Sequence, residues 1–278
     1  MQWLGIDLVP RRSKDANLYP EYMDLQEAIY AEGIAFVDHI LNEGGGSLSE
    51  LLGADYALIT DDGMAQLYGV SRSDNGPVDL SATPRRGILS QAAFLSVHSN
   101  PNNSGPIHRG VAVIERILCV ELITPGELNI EVVPPEPDPN ATTRDLFAQH
   151  TIDPACAGCH MGIDGVGFAF EQFDPIGRVR TQENGRDINT SGELIFTEVQ
   201  GEYPSSKEMI EAIAVSDVAK QCFAQNAFGF ASAQADEEVT HSFDQLWEAN
   251  TLPANAPMDE ALVLFISSDL FIHRRIAP

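Results

Sequence analysis

The chain has 278 residues, enough for two or three compact units, and 44% of them are hydrophobic, so a substantial core can form. Its 16 lysines and arginines stand against 41 aspartates and glutamates, a formal net charge of −25 that would repel nucleic-acid phosphates and anionic lipid headgroups. The longest apolar run near the C-terminus, residues 261–267, is much shorter than the ~20 residues that cross a bilayer. We therefore predict neither nucleic-acid binding nor a membrane span.

The first half of the chain has a helical pattern. Residues 21–42 carry apolar side chains at helical spacing, with acids on the other face, and the glycines at 44–46 end the pattern. Shorter helices are predicted between turn-forming segments, over residues 48–52, 64–68, 88–97 and 111–122. We expect residues 1–132 to form a helical domain.

A proline-rich segment follows. Four prolines lie between Val133 and Asn140, which favours an extended linker over a helix or an inner strand. After it, Thr142 and Asp145 have the spacing that caps a helix, here one running to His150. Residues 133–182 are therefore interpreted as a linker followed by a second module.

The last part, residues 183–278, is predicted to be mainly helical with a little β structure. Leu194–Val199 is the best strand candidate, and Ser205 with Glu208 forms a capping box for a helix that starts at Glu208. Helical periodicity is present over residues 206–230, 236–248 and 258–270. The fold class expected for the whole chain is mainly α: a helical N-terminal domain, a small middle module and a C-terminal helical bundle.

The motif that carries chemistry lies in the middle module. Cys156-Ala157-Gly158-Cys159-His160 has the C-x-x-C-H spacing of covalent c-type haem attachment. Cysteines three apart share one face of a helical turn, so both sulfurs can form thioethers with one porphyrin, and His160 can then bind the iron as the proximal ligand. The sequence predicts one covalently bound haem c.

Two other uses of the cysteine pair are weighed against haem. A redox-active dithiol needs a strand before the motif, and Asp153-Pro154 is not typical of a strand. A structural zinc site needs a second pair of ligands at finger-like spacing, which the sequence lacks. Haem attachment is the interpretation that the spacing favours.

The sixth ligand of the iron is open at this stage. His98 lies beside a turn that could fold over a cofactor, and His150 lies six residues before Cys156. Either imidazole could complete a low-spin site, whereas an open sixth position would permit ligand binding or peroxide chemistry.

Cys119 and Cys222 remain after the motif is counted. Haem attachment of this type takes place in an oxidising compartment, where two remaining cysteines favour a disulfide; two separately buried thiols are the alternative.

Residues 187–198 place oxygen-bearing side chains at positions 1, 3, 5 and 12 and Gly192 at position 6, as in a calcium-binding EF loop. The segment before them is rich in turn residues rather than helical. A β-turn that leads into a strand is favoured over calcium binding.

The surroundings of the motif resemble a known group of proteins. Arg144–His150, Asp153–His160 and Gly167–Arg178 are similar to the haem module of the planctomycete-type surface cytochrome families, and flanking segments such as Ser104–Gly110 look like the adjoining domains. The family pattern usually has a proline after the aspartate at 164, whereas this chain has Gly165. A proline carbonyl often orients the proximal imidazole, so the resemblance does not say which group orients His160. Within the family pattern, a histidine at the position of His150 is more usual than one at His98.

These observations predict an exported c-type cytochrome that transfers single electrons. The alternative is a haem enzyme with an open sixth position, peroxidase-like or the redox part of a larger oxidase. We expect a periplasmic, cell-surface or secreted location, with the signal peptide upstream of the given sequence, and a redox partner protein with a basic contact surface.

Overall fold

A computed structural model describes residues 1–123, 138, 140–148, 154–232, 243, 246–247 and 256–268. Within these residues the fold is mainly helical with a few short strands, as the sequence predicts. No helix among the described residues is long and apolar enough to cross a membrane.

The first 80 residues contain three helices and one small hairpin, and α1 packs against both α2 and α3. A 3-10 helix, Ile6–Arg11, precedes α1, α2 and α3, and the hairpin pairs strands β1 and β2 in antiparallel fashion. The helices predicted over 21–42, 48–52 and 64–68 are confirmed. Their bounds are α1 Tyr22–Asn42, α2 Leu48–Gly53 and α3 Asp62–Tyr68, and the strands are β1 Tyr56–Ala57 and β2 Val78–Asp79.

Two further helices complete the first half. The helix predicted over 88–97 is divided into a 3-10 turn, Ile88–Ser90, and α4, Ala92–Val97, because Gln91 is extended (φ −76°, ψ 153°). The helix predicted over 111–122 is displaced: α5 is Pro106–Arg116. It begins at a proline, whose fixed φ suits the first turn of a helix, and directly follows the left-handed Gly105.

The middle of the chain contains α6, Thr143–Phe147, and α7, Pro154–Phe168. The cap predicted at Thr142 and Asp145 is confirmed as a reciprocal capping box. α6 ends before His150, which lies outside the described residues, as do most residues of the predicted proline linker.

Two short antiparallel hairpins follow. They pair β3 with β4 and β5 with β6, with Gly192 opposite Tyr203 in the second. The predicted strand Leu194–Val199 is therefore shifted toward the N-terminus, because pairing with β6 stops at Leu194. The strands are β3 Gln182–Glu183, β4 Arg186–Asp187, β5 Gly192–Leu194 and β6 Gly201–Tyr203.

The C-terminal part contains α8 Ser206–Ala214, α9 Asp217–Ser232 and α10 Met258–Ile266. The single helix predicted over 206–230 is interrupted, since the Ser216 hydroxyl accepts from the Ala219 N–H at 3.2 Å and starts a new helix. α8 begins two residues before Glu208. The helix predicted over 236–248 lies almost entirely outside the described residues, and that over 258–270 is described only to residue 268.

One hydrophobic core extends across the three predicted segments. It contains Phe36 and Phe94 from the first, Phe170 from the second, and Leu194 and Ile210 from the third. The core is therefore continuous across the three segments, and the boundaries after residues 132 and 182 stay predictions. A second, smaller cluster lies between α9 and α10, built from Ala224, Phe228, Phe243 and Phe265.

Candidate haem-attachment site

The C-x-x-C-H motif lies in the first half of α7. The helix places positions 156 and 159 about one turn apart on a common side, the arrangement that the motif requires. The side chains of Cys156 and Cys159 lie outside the described part of the chain, whereas that of His160 is described and half-buried.

The His160 imidazole is paired with a carboxylate one turn further along α7. Its Nδ1 lies 3.0 Å from Oδ1 of Asp164, four residues later. The Asp164 side chain is only 3% exposed, and its Oδ2 is buried with no hydrogen-bond partner. With the proton on Nδ1, the ring donates to Asp164, and Nε2 is then the nitrogen with which His160 would bind a metal.

Asp164 is the residue that the sequence analysis did not recognise. In the sequence it is marked only as the aspartate after which the usual proline of the family pattern is missing. The sequence leaves open which group orients His160, and in the structure the Asp164 carboxylate lies at hydrogen-bond distance from its Nδ1. The four-residue spacing of His160 and Asp164 could have indicated the pair. It brings the two side chains together only if the residues between them are helical.

Glycines hold the second half of α7 against its neighbours. A Cβ on Gly167 would lie 2.0 Å from the Pro106 carbonyl oxygen at the start of α5. A Cβ on Gly165 would lie 2.4 Å from the carbonyl oxygen of Glu193 in β5, and one on Gly162 would lie 2.5 Å from the Phe196 ring. At Gly165 and Gly167 the neighbouring atom is backbone, so only glycine permits the approach, and α7 is fixed between α5 and the hairpin β5–β6.

The short helix α6 is joined to the same structure. The backbone N–H and the hydroxyl of Thr143 both donate to the Glu183 carboxylate, at 2.6 and 2.7 Å. The Arg144 guanidinium lies 4.7 Å from the centre of the Phe168 ring, at the end of α7, and donates to the Ser191 carbonyl. These contacts fix α6, which precedes the motif in the chain, to the end of α7 and to the hairpin segments.

The two candidates for the sixth ligand differ in what the structure says of them: His98 is described, whereas His150 lies outside the described residues. His98 is buried; its Nε2 lies 2.9 Å from the carbonyl oxygen of Leu4, and its ring packs 4.6 Å from that of Phe94. Burial lowers the pKa of His98 to about 4, so the ring is neutral at pH 7. These contacts tie His98 to the N-terminal segment and weigh against it as a ligand, which makes His150 the first candidate to test.

The candidate calcium loop runs from the hairpin β3–β4 into the hairpin β5–β6. Asp187 lies in β4 and Gly192 in β5, while the Glu198 carboxylate accepts the Val218 N–H at 2.9 Å near the start of α9. The acids at the first and last positions thus serve different elements. In the part of the chain that the structure describes, no group of three histidine, cysteine or acidic side chains could hold a metal ion.

Cys119 and Cys222 form a disulfide. Their sulfurs are 2.11 Å apart and their Cα atoms 5.3 Å apart. The bond joins the segment after α5 to α9, over a sequence separation of 103 residues.

Two family models match parts of the chain. Residues 1–70 are similar to PSD4, a protein of unknown function (DUF1592), and residues 85–183 to PSCyt3, a protein of unknown function (DUF1588). By name both are planctomycete-type, cytochrome-associated domains. The PSCyt3 match contains α5, α6 and α7, and therefore the motif and Asp164. No curated protein and no solved structure matches the chain.

Proposed function

We propose that this protein carries one covalent haem c on α7 and transfers single electrons. The observation that supports the proposal is the combination, on one helix, of the C-x-x-C-H motif with a histidine whose Nδ1 is paired with a buried carboxylate. A pairing of this kind is typical of histidines that bind metals, because it sets the tautomer and the orientation of the ring.

The donor set suits the group. Cys156 and Cys159 would hold the porphyrin through thioether bonds, and Nε2 of His160 would bind the iron. The haem would supply the one-electron chemistry between ferric and ferrous iron. The task of the remaining residues is to fix the histidine, through Asp164 and the close packing of α7, and to provide a sixth ligand, for which His150 comes before His98.

The compartment and the partner follow from two further features. A disulfide between Cys119 and Cys222 is stable in an oxidising compartment, the same one in which c-type haem is attached, so we propose an exported protein. The net charge of −25 would attract a redox partner with a basic surface and accelerate their encounter at low salt.

Haem attachment is tested by expressing the 278-residue chain behind an export signal in a host that matures c-type cytochromes. We expect one haem per chain with the pyridine haemochrome spectrum of two thioether bonds. The variant Cys156→Ala/Cys159→Ala should lose covalent haem, whereas Cys119→Ser/Cys222→Ser, which removes the same number of cysteines, should keep it. A wild-type protein without covalent haem would rule out the proposal.

The optical spectrum decides between electron transfer and the enzymatic alternative. A low-spin ferric spectrum indicates two axial ligands and favours electron transfer. A high-spin spectrum that changes with cyanide or peroxide indicates an open sixth position and favours a peroxidase-like enzyme. Comparing the Soret bands of His150→Ala and His98→Ala identifies the sixth ligand, and we expect the larger change for His150.

A further inference from the structure

We propose that Asp164 is a positioning residue that acts on the haem iron through His160. It holds the proton of the His160 ring on Nδ1 and lowers the reduction potential of the haem. This inference rests on the proposed function, since it concerns the same histidine. It adds a role for a residue that the motif does not contain.

The geometry of the pair is fixed from both sides. The four-residue spacing on α7 brings the carboxylate to 3.0 Å from Nδ1. The backbone on either side of Asp164 is held by close contacts: a Cβ on Gly110 of α5 would lie 2.3 Å from the Ile163 carbonyl oxygen, and Gly165 packs on the Glu193 carbonyl. The imidazole therefore meets a carboxylate whose position the surrounding packing sets.

The fold alone gives little reason for an acid at this position. The Asp164 side chain is almost completely buried, and Oδ2 has no hydrogen-bond partner. Burying a carboxylate with one oxygen unpaired costs free energy, and an apolar residue of similar size would avoid that cost. The carboxylate is paired with His160, and the positive charge of Arg144 acts on it from further away.

That contact has a defined chemical consequence. A carboxylate that accepts a hydrogen bond from the Nδ1–H group increases electron density on the ring and makes Nε2 a more basic ligand than a carbonyl partner would. A more basic, more negative ligand stabilises ferric iron relative to ferrous iron. The pair should therefore lower the reduction potential.

The test compares Asp164→Asn with wild type in haem-loaded protein. Asparagine keeps the shape and one acceptor oxygen but removes the charge. We expect an unchanged haem content and a ferrous-to-ferric ratio about tenfold higher at the same applied potential, which corresponds to about 59 mV for one electron. The control is Glu193→Gln, which removes an exposed carboxylate beside the same helix and should leave the potential nearly unchanged.

A second measurement needs neither a substitution nor haem. In the haem-free 278-residue chain, ¹⁵N NMR of the histidine rings should show neutral His160 as the Nδ1-protonated tautomer. An Nε2-protonated ring would overturn the inference even if Asp164→Asn does not fold. Equal potentials in Asp164→Asn and Glu193→Gln, with haem present in both, would overturn this inference alone, whereas a wild type without covalent haem would overturn the proposed function.

Discussion

Arg109 is a fully buried cation on α5 that the fold uses to connect separate segments. Its guanidinium donates to the carbonyls of Phe170, Phe173 and Asp174 after α7, and to that of Leu95 in α4. A charge can be buried when several strong acceptors surround it, and these carbonyls hold the chain just after α7 in place.

Glu32 is a buried acid that has fewer hydrogen-bond partners than Arg109. Its Oε2 accepts from the Tyr68 hydroxyl at 3.1 Å, while Oε1 has no partner. Burial raises the pKa of Glu32 to about 8, because the charged form is poorly solvated. The folded protein thus keeps a proton that the unfolded chain releases, so stability should fall as the pH rises from about 4.5 to 8.

The substitution Glu32→Gln removes this pH-dependent cost. The unfolding free energy of the variant minus that of wild type should increase by about 2–4 kcal/mol from pH 5 to pH 9. The reason is that only wild type must bury a charge at the higher pH. Urea unfolding at both pH values measures the difference. The exposed Glu27→Gln, on the same helix, should show no such trend, and an equal effect of Glu32→Gln at both pH values would contradict the argument.

Among the secondary-structure elements, the crossing of α5 and α7 determines the position of the helix that carries the candidate site. Two glycines form it: Gly110 against the Ile163 carbonyl and Gly167 against the Pro106 carbonyl. In both contacts the neighbouring atom is backbone, which cannot move aside as a side chain could. The crossing therefore tolerates no side chain at either position.

This prediction is tested with Gly167→Ala. In an ordinary helix the substitution would stabilise by up to about 1 kcal/mol, but here the added methyl group meets backbone and should destabilise by about 1–3 kcal/mol. The control is Gly45→Ala, where a Cβ would meet no backbone atom and only the end of the Glu50 side chain, at 3.1 Å. Thermal or urea unfolding that shows Gly167→Ala to be neutral or stabilising would mean that the helices can separate without cost.

For the whole molecule, the disulfide joins distant parts of the chain. Near it, the Trp3 indole donates to the Arg116 carbonyl at 2.6 Å and packs edge-on against Phe223 at 5.4 Å. The N-terminal segment, the end of α5 and helix α9 therefore meet around the Cys119–Cys222 bond.

Reduction of the bond should lower the unfolding free energy by about 4 kcal/mol, because a closed loop of about a hundred residues limits the unfolded chain. Urea unfolding with and without a reductant measures the loss. The variant Cys119→Ser/Cys222→Ser should resemble the reduced protein and should not respond to reductant. Insensitivity of the wild type would show that the cross-link contributes nothing to stability.

The overall charge makes a kinetic prediction for the haem-loaded protein. Oxidation of the ferrous protein by the cation hexaammineruthenium(III) should slow as ionic strength rises from about 10 to about 150 mM, whereas oxidation by the anion ferricyanide should accelerate. Salt screens attraction in the first case and repulsion in the second. Stopped-flow rates that change in the same direction for both oxidants would contradict steering by the net charge of −25.

Local sequence signals predicted a large part of this protein because they depend on nearby residues. The periodicity of α1, the cap of α6 and the spacing of the C-x-x-C-H motif are all contained within a few turns of chain. The errors arose where a distant partner decides, as in β5, whose length depends on pairing with β6.

The second half of α7 shows the same division most clearly. Glycines at 162, 165 and 167 have low helix propensity, and no local pattern predicts that the helix continues through them. It continues because α5 packs on Gly167 and β5 on Gly165 more closely than a side chain would allow, and this packing provides the free energy that the glycines do not. The sequence alone determined the haem-type motif and the mainly helical class. The tertiary structure decided that α7 extends far enough to bring Asp164 to His160, since that depends on contacts between residues far apart in the chain.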